Sequence, residues 1–100
     1  MNSWLDEDGY PTQETLNLIS VWDYKNIEKL FKFIKDIWTY KSYIFNEEYR
    51  WTLSTAGWSG NEDIIEALRK NRMVWLLTWE SSRRGGHYIF DLSRAPKRNV

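Results

Sequence analysis

Two hydrophobic periods share this chain, and the switch between them limits what it can fold into. Ile27, Leu30, Phe31, Ile34, Ile37 and Trp38 fall at i, i+3, i+4, i+7, i+10 and i+11, the spacing of one face of an α-helix. Phe33 and Tyr40 widen that arc on one side, while Lys25, Glu28, Lys29, Lys32, Lys35 and Asp36 fill the opposite one. Glu28 and Lys32 form an i, i+4 pair in the favoured orientation. An arc this wide predicts two neighbours, a sheet and a preceding helix. Lys41 would return to the apolar face, so the helix is expected to end near Tyr40. From Tyr49 the period drops to two. Tyr49, Trp51, Leu53 and Thr55 alternate with Arg50, Thr52, Ser54 and Ala56, which reads as a half-buried strand.

The other elements follow from caps and breakers. Thr12 is a candidate N-cap, with Glu14 in the first turn, for a short helix reaching about Trp22 and carrying Leu16 and Ile19 on one face. Asp23 or Asn26 can cap the long helix. Gly57 ends the strand. Trp58-Ser59-Gly60 then reads as a tight connector, with Asn61 capping a helix from Glu62 to Asn71 whose buried stripe is Ile64, Ile65 and Leu68. Met73 to Trp79 is nearly all apolar, as expected of a central strand covered on both faces. Ser81 to Gly86 reads as a hairpin loop, and Tyr88, Phe90 and Leu92 alternate with His87, Ile89 and Asp91 as the last strand. The expectation is an α+β domain of order α-α-β-α-β-β, with helices packed on a three-stranded sheet. The first strand lies parallel beside the second, or antiparallel beside the last.

One hundred residues support one core. The whole chain, 1–100, is read as a single domain, with an acidic arm over 1–10 and a basic tail over 94–100 expected to be mobile. Seven Trp, six Tyr and four Phe argue against a disordered chain. The absence of Cys removes disulfides, thiolate metal sites and Cys nucleophiles. No apolar run approaches the length of a membrane span, and Met1 to Gly9 lacks the pattern of a secretory leader. The zero net charge hides an asymmetry. Residues 1–68 carry six basic and twelve acidic side chains, and residues 69–100 carry eight basic and two acidic. Such a split predicts either a basic binding face or mutual neutralisation within one body.

Catalytic sets are weak here. His87 is the single histidine. Ser81 and Ser82 precede it across the loop. Asp91, the acid on the same strand face, lies about 13 Å along the strand, too far to orient the ring. Gly57, Gly60, Gly85 and Gly86 match neither a P-loop nor a dinucleotide fingerprint. Asp6-Glu7-Asp8-Gly9 resembles half a calcium loop, but no bidentate Glu follows at the required spacing. No enzyme activity, metal or cofactor is expected.

Binding chemistry is better represented. Ser81, Ser82, Arg83, Arg84 and His87 set two guanidinium forks, two hydroxyls and an imidazole around a Gly-Gly pair, a combination suited to phosphate or carboxylate. Trp79 and Tyr88 flank it. The structural alternative is that Arg83 or Arg84 ties the hairpin to Glu62, Asp63 or Glu66. Trp58, Ser59 and Asn61 open the third helix, and Trp58 with Arg83 and Arg84 has the make-up of an interface anchor. The candidate binding residues are therefore Trp58, Ser59, Asn61, Ser81, Ser82, Arg83, Arg84 and His87.

Two stretches, Gly57-Trp58-Ser59-Gly60-Asn61-Glu62-Asp63-Ile64-Ile65 and Trp79-Glu80-Ser81-Ser82-Arg83-Arg84-Gly85-Gly86-His87-Tyr88, resemble a family of small uncharacterised proteins encoded by bacteriophages and prophages. The resemblance spans some two-fifths of the chain. Glu80 stands where that family tends to have Gln. The family implies no activity and no catalytic residue. It implies a phage origin, action in the cytoplasm of an infected bacterium, and a non-enzymatic accessory role. By analogy with anti-defence factors such as anti-CRISPR proteins, that role is binding a host macromolecule, a protein in the first instance. The alternative is a nucleic-acid-binding module using the Arg-rich hairpin and the basic last third. No membrane partner is expected.

Overall fold

The computed structural model describes residues 4–96. Its elements are α1 (Gln13–Ser20), α2 (Ile27–Ile37), β1 (Ile44–Glu47), β2 (Arg50–Ser54), α3 (Ser59–Lys70), α4 (Arg72–Thr78), β3 (Trp79–Arg83) and β4 (His87–Asp91). Short 3-10 turns at Tyr24–Asn26 and Lys41–Tyr43 lead into α2 and β1. The strands form one sheet in the order β1-β2-β4-β3, with every neighbouring pair antiparallel. The α+β class is as expected, and β2 takes the antiparallel place beside the last strand. The sheet has four strands rather than three, and one expected strand is a helix.

The long amphipathic helix organises the core. Ile27, Leu30, Phe31, Ile34 and Ile37 of α2 are buried, as is Trp38 just beyond it. The Phe31 ring centre lies 5.5 Å from that of Trp51 and 5.2 Å from that of Phe90, which seats α2 on the sheet. On the other flank Phe33 meets Trp4 at 5.2 Å and Trp22 at 5.4 Å, so the second neighbour is the N-terminal segment together with the end of α1. Trp38 donates its indole N–H to the Ser54 carbonyl, 3.1 Å away, and so avoids a buried orphan donor. The helix stops at Ile37, and Tyr40 takes a left-handed conformation at φ 65°.

Over residues 4–10 of the segment expected to be a mobile arm, main-chain and side-chain bonds tie the chain to the start of α1. Leu5 bridges Pro11, and the Thr15 hydroxyl and the Thr12 N–H both donate to the Trp4 carbonyl. Asp6-Glu7-Asp8-Gly9 is a turn in which one Asp6 carboxylate oxygen accepts from the N–H groups of Asp8 and Tyr10. Among the described residues no group of three potential metal ligands gathers. Of the expected basic tail, Arg94 to Pro96 follow β4 and the Ala95 N–H donates to the Leu92 carbonyl. Residues 97–100 lie outside the described residues.

The largest correction concerns Met73 to Trp79. Six of these seven residues belong to α4, and only Trp79 starts a strand. The Asn71 side chain caps α4 by accepting from the Val74 N–H, and it donates to the carbonyls of Ile19 and Trp22. A strand covered on both faces would bury the whole run. The helix buries Val74 and Thr78 and exposes Met73 and Leu76. The short edge strand β1 has no counterpart in the sequence reading, because Ile44 is its only buried residue. No described helix is long and apolar enough to cross a membrane.

Candidate functional site

The β3–β4 hairpin is the best-braced of the expected binding elements. Ser81 and Ser82 lie in β3, and the turn itself is Arg84-Gly85-Gly86. Gly85 and Gly86 have φ of 94° and 81°, a region that disfavours other residues. A Cβ on Gly86 would also run into the Thr55 hydroxyl. That close approach lets the Thr55 N–H donate to the Gly86 carbonyl at 3.0 Å. One residue along, Ser54 and His87 face each other in register, with Ser54 Oγ 2.6 Å from His87 Nδ1. The hairpin is thus pinned to β2 by a main-chain bond and a side-chain bond.

On this support Arg83 and Arg84 are exposed and form no ion pair among the described residues. The ion pairs present there are Arg50 with Glu80 at 3.4 Å and Arg69 with Glu66 at 3.5 Å, both at the surface. The alternative in which Arg83 or Arg84 reaches Glu62, Asp63 or Glu66 is not what the structure shows. The charge asymmetry is not cancelled by direct contacts at the hairpin.

The other candidates separate from the hairpin. Trp58 caps the start of α3 and is half-buried, with its ring centre 4.5 Å from that of Tyr10. Its indole lies over Gly60, where a Cβ would come within 2.5 Å of Nε1. Ser59 is exposed beside the Tyr10 hydroxyl. Asn61 is not the N-cap expected of it. It lies inside the first turn of α3, 1% exposed, and its amide accepts from the Thr39 N–H and donates to the carbonyls of Thr39 and Thr55. Asn61 is a clasp between three segments. Its side chain has no open side to offer a ligand. No cation–π contact joins Trp58 to either hairpin arginine; the one among the described residues sets Arg69 over Trp75 at 4.7 Å.

That last contact marks what the sequence reading missed. Trp75 and Trp79 stack with ring centres 5.8 Å apart and planes at 12°. Met73 and Leu76 stand outward from α4, Leu76 at 65% exposure, and Trp79, at the start of β3, is exposed as well. The Trp79 indole N–H donates to Ser82 Oγ at 2.9 Å, which joins this apolar ridge to the arginine hairpin. The one local hint of the helix was Asn71 as a candidate N-cap; the run after it is apolar almost throughout and carries no period that would single out Met73 and Leu76.

The Ser–His contact has little catalytic shape. Ser54 is buried, Ser81 and Ser82 do not bond to His87, and no described carboxylate bonds to the ring. Asp91, the acid considered for that role, instead accepts from the Ser93 N–H at 2.8 Å. The donors of Ser93, backbone first and hydroxyl second, hold the Asp91 carboxyl below its ordinary range, with Arg50 and Arg94 adding to the effect. A shallow groove of about 310 Å³ lies elsewhere, floored by Trp51 and Leu92 and rimmed by Lys25, Lys29 and Lys32. Comparison with protein-family models, with curated proteins and with solved structures finds no match to this chain.

Proposed function

We propose that this chain is a non-enzymatic binding protein whose target is an acidic protein surface, gripped by Arg83 and Arg84, with the exposed Met73, Leu76 and Trp79 as a second, apolar contact. The observation that carries the reading is the pair of exposed guanidinium groups, without a carboxylate partner among the described residues, on a hairpin pinned to the sheet. Two unpaired forks favour a partner with carboxylates or phosphates. The exposed Trp79, Met73 and Leu76 favour a protein, because Trp and Arg anchors dominate protein interfaces. The resemblance to phage-encoded proteins suggests a host protein in the cytoplasm of an infected bacterium, and an anti-defence role is the sharpest form of that idea.

The test compares the intact chain with Arg83→Ala/Arg84→Ala and Leu76→Ser variants in pull-downs from bacterial lysate at physiological salt. The expected result is one protein retained by the parent and lost by both variants, with unchanged far-UV circular dichroism. A protein held equally by all three would refute the assignment of the surface, and no specific protein would refute the function. The nucleic-acid alternative draws on the same guanidiniums. It requires a gel shift whose affinity falls steeply with salt, with the log–log slope reduced by about two units in the double variant.

A further inference from the structure

We infer that the free edge of β3 pairs antiparallel with the same strand of a second copy of this chain, making a two-fold dimer with one continuous sheet. The phase of the ladder shows which groups are available. Glu47 pairs with Arg50 across a two-residue turn, so that pair exchanges both of its main-chain bonds. Alternation then assigns the bonded pairs of the next ladders: Trp51 with Phe90 and Leu53 with Tyr88, then Ser81 with Ile89 and Arg83 with His87. The Thr55 N–H donating to the Gly86 carbonyl keeps the same phase. Ser82 is out of phase with the bonds to β4, so its N–H and C=O point away from the sheet. β3 is an edge strand, and four of its five residues are exposed.

Charge selects the occupant. β3 carries Glu80 near its start, Arg83 at its end and Arg84 just beyond. Such an edge repels a parallel copy and resists indiscriminate pairing. Turned antiparallel and centred on Ser82, a second copy brings the carboxylate of Glu80, the bulge residue between Trp79 and Ser81, toward the Arg84 guanidinium in the turn, once on each side of the two-fold axis. That is the self-complementarity an isologous interface needs. The Arg50 contact to Glu80 is long and exposed, so it leaves the carboxylate able to accept another donor. Arg83 stays on the sheet face away from Trp51 and Phe90 and is left for the acidic partner, whereas self-pairing and partner capture compete for Arg84.

Sedimentation equilibrium of the full chain across a concentration series reads the proposal. The expected mass rises toward twice the 12.1 kDa of one chain. Arg84→Glu stays at the single-chain mass, and Glu80→Arg/Arg84→Glu regains the dimer. Ser82→Pro, which removes the outward N–H, also stays single. If that variant fails to fold by circular dichroism, the charge-swap pair decides alone. A parent chain that remains at single-chain mass overturns the inference. So does a dimer that survives Arg84→Glu, or one that survives in folded Ser82→Pro.

Discussion

At the scale of single residues, the polar groups that matter most to this fold are buried and fully used. Asn61 satisfies the N–H and C=O of Thr39 in part-buried bonds and the carbonyl of Thr55 in a buried one, and the amide itself is buried. Asn61→Ala is therefore expected to destabilise the protein by about 2–4 kcal/mol, read as a lower urea midpoint with an unchanged m-value. Asp91 acts with the opposite economy, at the surface. Its carboxyl is held below the usual range chiefly by the Ser93 donors. A depressed native pKa adds stability above the unfolded value, and that stability is lost as pH falls through the native one. Asp91→Asn keeps an acceptor oxygen and loses the charge. The two proteins should differ slightly in melting temperature at neutral pH and converge in acid, once the pH has fallen through the lowered native pKa of Asp91. A gap that stays constant down to acid pH would show that the charge plays no part.

At the scale of elements, legibility followed burial. α2 could be read because its five buried residues each take the face their spacing assigns, and Trp51 and Leu53 marked β2 for the same reason. α4 was misread because a continuous apolar run has no period to report, and its Trp and Val favour strands. What decides for helix is tertiary: the Asn71 cap also clasps α1 through the Ile19 carbonyl, and Val74 and Thr78 are buried together on the inner face. β1 was missed because its turn sets Glu48 at φ 56° with no Gly or Asn to announce it. The site shows the same division. Exposed, charged Arg83 and Arg84 could be found in the sequence, and the ridge on the misread helix could not. The helical reading makes a prediction that the strand reading reverses. Leu76→Ser should change stability by less than about 0.5 kcal/mol, while Val74→Ala should cost about 1–3 kcal/mol. Paired thermal melts of the two variants check it, and a comparable loss in both would restore the strand.

At the scale of the whole molecule, one side chain carries the junction between layers. The Phe31 ring touches Trp51 on β2 and Phe90 on β4, and Phe90 in turn meets the edge of Trp75 on α4. The chain from α2 through the sheet to α4 therefore passes through aromatic contacts rather than through ion pairs, and the ion pairs present are exposed. The hairpin depends on this junction, because β4 holds both Phe90 in the core and His87 at the pinned end. Phe31→Ala should cost about 3–5 kcal/mol. That is a large share of the roughly 5–10 kcal/mol available to a domain of this length. If the molecule is one cooperative unit, tryptophan fluorescence and far-UV circular dichroism should report a single transition at a lower midpoint. The Arg83 and Arg84 surface should then be lost only with the fold. Separate transitions for the two probes would mean that the helices and the sheet fold independently, and that the hairpin does not draw its rigidity from the core.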